Sequence, residues 1–202
     1  MVAKIFDDIL LKGIRSGQVP ARTKAARDWY REQAQGVARS RIQEDSFIKS
    51  MGTERYENRF RLGHMYMFLY DPKHKETLPY YDRFPLIFPI NRAKGGFLGI
   101  NFHYLPLPLR ARLMDALYDV STNDKFDETT KIRTSYSILN GASKYKEFKP
   151  ALKHYLTDHV RTRLIYLNPS EWDIALFLPT ERFEGASKTK VWQDSRKIIR
   201  GT

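Results

Sequence analysis

The 202-residue sequence contains no cysteine. A disulfide framework, a zinc ribbon, a cysteine-held iron–sulfur cluster and a thiol nucleophile are therefore excluded. Long apolar runs are missing as well. Stretches such as 84–90 and 174–179 are short beside the roughly 18–20 residues of a membrane span. Asp7 and Asp8 interrupt the apolar start, which argues against a secretory signal. The expectation is a soluble protein with no membrane partner.

Motifs that carry chemistry are also scarce. The five histidines are His64, His74, His103, His154 and His159. His154 and His159 are five apart and so do not share a helical face as an i, i+4 pair would. No His-Glu-x-x-His, acidic calcium loop, Gly-x-Ser-x-Gly elbow or Walker loop occurs. Gly95-Gly96-x-x-Gly99 reads as a turn and a bulge, because it lacks dinucleotide-loop spacing and a following helix. His103, between Phe102 and Tyr104, reads as half-buried or on the surface rather than as a general base. No metal and no cofactor are expected. Glu147-x-Lys149 is the one arrangement that fits a metal-dependent nuclease, but Pro150 follows at once and no strand surrounds it. Asp124, Asp127 and Glu128 read as a solvated turn and a helix start.

What the chain does have is core material and positive charge. Hydrophobic residues make up 42% of it, with 12 Tyr and 12 Phe, too much for a disordered chain. The formal charge is +12, which implies an anionic partner. That charge is uneven: residues 1–63 carry +5, residues 64–128 are neutral, and residues 129–202 carry +7. The neutral middle is the most apolar part, so the core starts there and the ends hold the excess charge.

Residues 1–63 read as a basic, partly helical arm. Ile5, Ile9, Leu10 and Ile14 give a short amphipathic helix ended by Gly17, and Pro20 marks a break. A second helix, 21–38, carries Arg22, Lys24, Arg27 and Arg31 on its surface, with only Trp29, Tyr30 and Val37 to bury it. So few apolar residues cannot form a core of their own. This arm either wraps the domain or orders against a neighbour.

Residues 64–185 read as the globular α+β domain. Strands are expected at 65–70, 84–90 and 97–105, in an antiparallel meander, and a further strand at 160–167. Pro85 and Pro89 restrict the second to an edge or a kinked path. Helices are expected from Pro108, over Ile132–Leu139 up to Gly141, and from Pro150 through Leu152, Tyr155 and Leu156. Asn168-Pro169-Ser170-Glu171 fits a capped start to a short helix over 172–178. Residues 186–202 read as a basic helical tail. The fold class is a small antiparallel sheet packed by helices, with helical arms at both ends.

One local echo joins Gly141-Ala-Ser-Lys-x-Lys146-x-Phe148 to Gly185-Ala-Ser-Lys-x-Lys190-x-Trp192. It reads as two helix-stop, helix-start junctions, or as a repeated loop touching phosphate. Basic and aromatic residues also interleave at 145–149 and 153–155, followed by Arg161 and Arg163, which would share one face of a strand. The alternative is a solvated face over an aromatic core.

The wording of four segments, 78–89, 95–106, 109–117 and 171–183, resembles a family of small proteins of T-even-type contractile-tailed phages, over roughly residues 64–195. That resemblance implies a virion protein: a DNA end protector, a head-completion protein or a baseplate component. It brings no catalytic residues with it.

The function expected is therefore non-enzymatic, in head completion or protection of a packaged DNA end. The partners would be other virion proteins in a symmetric ring, and the backbone of double-stranded DNA. Candidate phosphate contacts are Arg22, Lys24, Arg27, Arg31, Lys144, Lys146, Lys149, Lys153, Arg161, Arg163, Lys188, Lys190, Arg196 and Lys197. A tail or baseplate subunit that binds only protein is the alternative, with a nuclease using Glu147 and Lys149 behind it.

Overall fold

Alternating apolar side chains set the centre of the fold. The computed structural model describes residues 4–18, 23–121 and 125–201. The strands are β1 (Tyr56–Glu57), β2 (Met65–Met67), β3 (Tyr81–Asp82), β4 (Leu86–Ala93), β5 (Gly96–Asn101), β6 (Leu152–Leu156), β7 (Leu164–Leu167) and β8 (Phe183–Glu184). The helices are α1 (Lys4–Arg15), α2 (Lys24–Gln35), α3 (Glu44–Ser50), α4 (Leu107–Ser121), α5 (Glu128–Ala142), α6 (Trp172–Phe177) and α7 (Lys188–Arg200). Among the described residues, one antiparallel sheet has the order β1-β7-β2-β4-β5-β6, and β3 pairs with β8 alone. The α+β class is the one the sequence implies.

The expected meander forms as β2-β4-β5 and β6 continues it, while β7 returns to the far side and inserts between β1 and β2. β4 is central rather than an edge. Its prolines are accommodated by the kinked path, with a register shift between Pro89 and Asn91. The helix expected from Pro150 is not formed. Residues 146–151 make a 3-10 turn containing Pro150, and 152–156 form edge strand β6. The spacing of Leu152, Tyr155 and Leu156 suits a helix, but pairing with β5 overrides it. Gly96 permits that pairing: a Cβ there would lie 1.8 Å from the Tyr155 carbonyl oxygen.

The sheet buries both faces. Met65, Met67, Leu86, Phe88, Ile100, Ile165 and Leu167 face the helices. Tyr66, Phe68, Tyr70, Ile87, Phe97 and Tyr155 make an aromatic cluster on the other side, partly covered by Phe60 and Tyr166. Stacked and edge-on rings fill it, with Phe97 and Tyr155 centroids 5.5 Å apart.

Of the two roles left open for the N-terminal segment, it wraps the domain. Ile5, Phe6, Ile9, Tyr30, Ala34, Ile42 and Phe47 join the same core as Phe84, Leu86 and Phe88. The buried face of α2 is Ala26, Arg27, Tyr30, Arg31 and Ala34 rather than an aromatic stripe. Start and stop signals are used largely as read. Asn168 and Glu171 form the capping box before α6, Asp127 accepts from Thr130 N at the head of α5, and Ser187 caps α7. The echoed loops are not equivalent, since Gly185 has φ +85° whereas Gly141 lies inside α5.

Candidate nucleic-acid interface

Ion pairing divides the expected phosphate contacts into two groups. Arg22 lies outside the described residues. Arg27 and Arg31 point inward, 8% and 5% exposed. Arg31 reaches Asp173 at 2.7 Å and Asp115 at 2.6 Å, and Arg27 lies 3.2 Å from Asp115 and stacks on Tyr118. This corrects their placement on the surface of α2: carboxylates from α4 and α6 hold them inside. Lys24 pairs with Asp28, Arg161 with Asp71, Lys188 with Glu181 and Lys190 with Asp194. Arg161 and Arg163 are not on a strand, because β7 begins at Leu164.

The second group, Lys144, Lys146, Lys149, Lys153, Arg163, Arg196 and Lys197, has no carboxylate partner among the described residues. Lys144, Lys146 and Lys149 lie on the turn after α5, and Arg196 and Lys197 lie on the last turns of α7 with Arg200, which the sequence reading did not single out. These two elements pack together. Lys146 Nζ comes to 2.8 Å from where a Cβ of Gly201 would sit, so it lies at the C-terminal end of α7, where the helix dipole favours a cation. The cations of the turn and of the last turns of α7 are exposed, and the packing of the turn on α7 brings Lys146 to the Arg200 end of that helix.

β6 leads from this turn to a second feature. Lys153 lines a cavity of about 290 Å³ whose walls include Tyr70, Tyr80, Tyr104 and Tyr155, with Lys73 at the rim. Its Nζ lies 3.9 Å from the Tyr104 ring centre. Burial lowers the Lys153 pKa to about 8. Burial likewise raises the Tyr104 and Tyr155 phenols, so both stay neutral.

Beneath the cavity lies a polar network. Asp82 accepts from His103 Nδ1 at 2.7 Å and from Asn101 Nδ2 at 2.9 Å, and His103 Nε2 lies 3.1 Å from Thr180 Oγ1. Asn101 also donates to the Tyr155 hydroxyl at 2.9 Å. The sequence places His103 at or near the surface, whereas it is 0% exposed. This acid–imidazole–hydroxyl chain joins β3, the turn after β5 and the segment before β8; His103 and Thr180 are 0% exposed, and Asp82 alone of the three lines the cavity. Arg110 braces it from below, donating to the carbonyls of Leu105, Leu176 and His103. Glu147 lines a groove between α4 and α5 beside Phe148, while Lys149 is exposed. Among the described residues no group of three or more His, Asp or Glu could hold a metal ion.

Sequence reasoning singled out Lys153 and the unpaired lysines but missed the tyrosine cavity. The dense tyrosines at 80–81, 104 and 155 were its signal. Nothing local in the sequence says that they converge.

These features define a cationic α+β protein with exposed cations, free of carboxylate partners among the described residues, on the turn after α5 and at the end of α7. The family model described as Phage T4 terminal DNA protecting protein matches residues 27–199. The chain belongs to that family. No curated protein and no solved structure gives a significant match. Among the described residues no helix is long and apolar enough to cross a membrane.

Proposed function

We propose that the chain is a non-enzymatic virion protein that binds and shields an end of the packaged double-stranded DNA. The observation that carries this reading is the set of Lys144, Lys146, Lys149, Arg196, Lys197 and Arg200, exposed cations on or beside two packed elements with no carboxylate partner among the described residues, in a chain of the terminal DNA protecting family. Cations left free of internal pairs can replace the counterions of a phosphate backbone, and they do so without reading bases. Protection then comes from occupancy: a bound subunit covers the end. Head completion, a symmetric ring and contacts with other virion proteins belong to the same reading. Lys24, Arg161, Lys188 and Lys190 are secondary contacts in it, because each must leave an ion pair to meet phosphate.

The test is duplex binding across a salt series. If about five phosphates are neutralised, affinity falls on the order of 10²–10³-fold between about 50 and about 200 mM salt. A Lys144→Glu, Lys149→Glu, Lys197→Glu triple variant is expected to bind more weakly with a shallower salt slope. No duplex binding at low salt would reject the reading.

A further inference from the structure

A protein that only tracks phosphates cannot tell an end from the middle of a duplex, since the interior offers the same backbone charge. Discrimination needs a group that only an end presents. The geometry points to the tyrosine cavity beside Lys153 as the seat of a strand-terminal nucleotide, its base among the rings and its phosphate on Lys153. This rests on the proposed DNA-end binding and says how the end is recognised.

Three observations converge. The cavity is of modest size, at the small end of ligand sites, suited to one nucleotide rather than to a duplex. Its walls are aromatic, and a base stacks on such surfaces whatever its sequence. Among the described residues Lys153 makes no hydrogen bond and no ion pair, and it rests on the face of Tyr104. Asp82, the carboxylate nearest the cavity floor, is already committed to His103, Asn101 and the backbone N–H groups of Phe84 and Arg182. A half-buried cation without an anion costs stability unless a ligand supplies one. Lys73 and His154 are exposed at the rim and lie where an approaching phosphate would pass. A strand end, frayed or overhanging, puts a base into such a cavity at the least cost, because an interior base must first be unstacked and unpaired.

The experiment compares a 5′-phosphorylated blunt linear duplex with the same duplex closed at both ends by hairpin loops. The wild-type chain is expected to prefer the open duplex by about tenfold or more, the equivalent of stacking one base. Lys153→Met is expected to abolish that preference, so that it binds open and closed duplex alike. Methionine removes an uncompensated buried charge at similar volume, so thermal stability should not fall, and loss of folding cannot mimic the result. Lys149→Glu should weaken binding to both duplexes and keep the preference. Equal binding of open and closed duplex by the wild type, or a full preference in Lys153→Met, overturns the inference and leaves the DNA-binding reading standing. A second measurement does not depend on the duplex. Titration with a deoxynucleoside 5′-monophosphate, its 3′-monophosphate, the unphosphorylated nucleoside and inorganic phosphate is followed by tyrosine fluorescence. One monophosphate should saturate in the wild type but not in Lys153→Met, and which one does so identifies the strand end. No response to either monophosphate rejects the site.

Discussion

Arg31 Nε donates to Asp173 Oδ1 at 2.7 Å, joining α2 to α6 across 142 residues of sequence. The same guanidinium reaches Asp115 on α4 at 2.6 Å. Arg31 thus pairs carboxylates on two separate helices, while Arg27 also holds Asp115 at 3.2 Å. Arg31→Ala leaves the buried Asp173 without its ion-pair partner and is expected to cost about 3–5 kcal/mol. Lys24→Ala breaks only an exposed 3.6 Å pair and should change stability by no more than about 0.5 kcal/mol. Urea unfolding measures both. Folded Arg31→Ala should bind duplex as the wild type does, and a selective loss of binding would return Arg31 to the interface.

Removal of residues 1–63 tests whether the N-terminal segment is a separable arm. Phe6, Tyr30, Phe47 and Met51 are buried in the same cluster as Phe84 and Phe88. Their loss would uncover a large apolar surface on the remaining chain. The truncated chain is expected to bind a hydrophobic dye and to lose a cooperative thermal transition. A sharp transition near that of the full chain would make the segment an appendage.

How far the sequence was legible depends on the range of the signal. The Asn168–Glu171 box, the Asp127 cap and the helix from Pro108 are read from residues a few positions apart, and each forms. Leu152–Leu156 failed because its strand state comes from pairing with β5, over 50 residues earlier in the chain. Arg27 and Arg31 look like surface cations until Asp115 and Asp173 arrive from other helices. The patch was partly visible as runs of lysine. Which lysines stay unpaired is settled by the folded geometry: Glu181 takes Lys188, Asp194 takes Lys190, and among the described residues no carboxylate takes Lys149. The tyrosine cavity was invisible because its walls come from three separated stretches of chain.

Asp82 sits at the junction of these stretches. Asp82→Ala would strand donors from His103, Asn101 and two backbone amides in a site that excludes water. The expected cost is about 3–5 kcal/mol. Thr180→Val removes one partner of the network and should cost about 1–2 kcal/mol. Thermal unfolding of both variants tests the ranking, and a larger loss for Thr180→Val would place the hub at His103 instead.

Two buried groups give opposite ends of the stability profile a definite sign. Burial alone would raise Glu181, but His103, Arg110 and Lys188 around it bring its pKa to about 2. The unfolded chain titrates this carboxyl near its ordinary value of 4.5. Between these two values the unfolded chain binds more protons, so stability is present above about 4.5 and drains as pH falls toward 2, by up to about 3 kcal/mol. Lys153 is lowered from 10.5 to about 8 by burial. From pH 8 upward the unfolded chain again binds more protons, so stability rises with pH as the buried ammonium discharges, also by up to about 3 kcal/mol. Above about pH 10 the trend reverses, because buried tyrosines such as Tyr104 and Tyr155 hold protons that the unfolded chain releases. Urea midpoints across the pH range should therefore show an acid-side loss sensitive to Lys188→Met and an alkaline rise between 8 and 10 that Lys153→Met abolishes. In the same alkaline window a mononucleotide held through the Lys153 ammonium should weaken as the amine loses its charge. If the protein gains stability there while mononucleotide affinity stays level, the phosphate is held by some other cation.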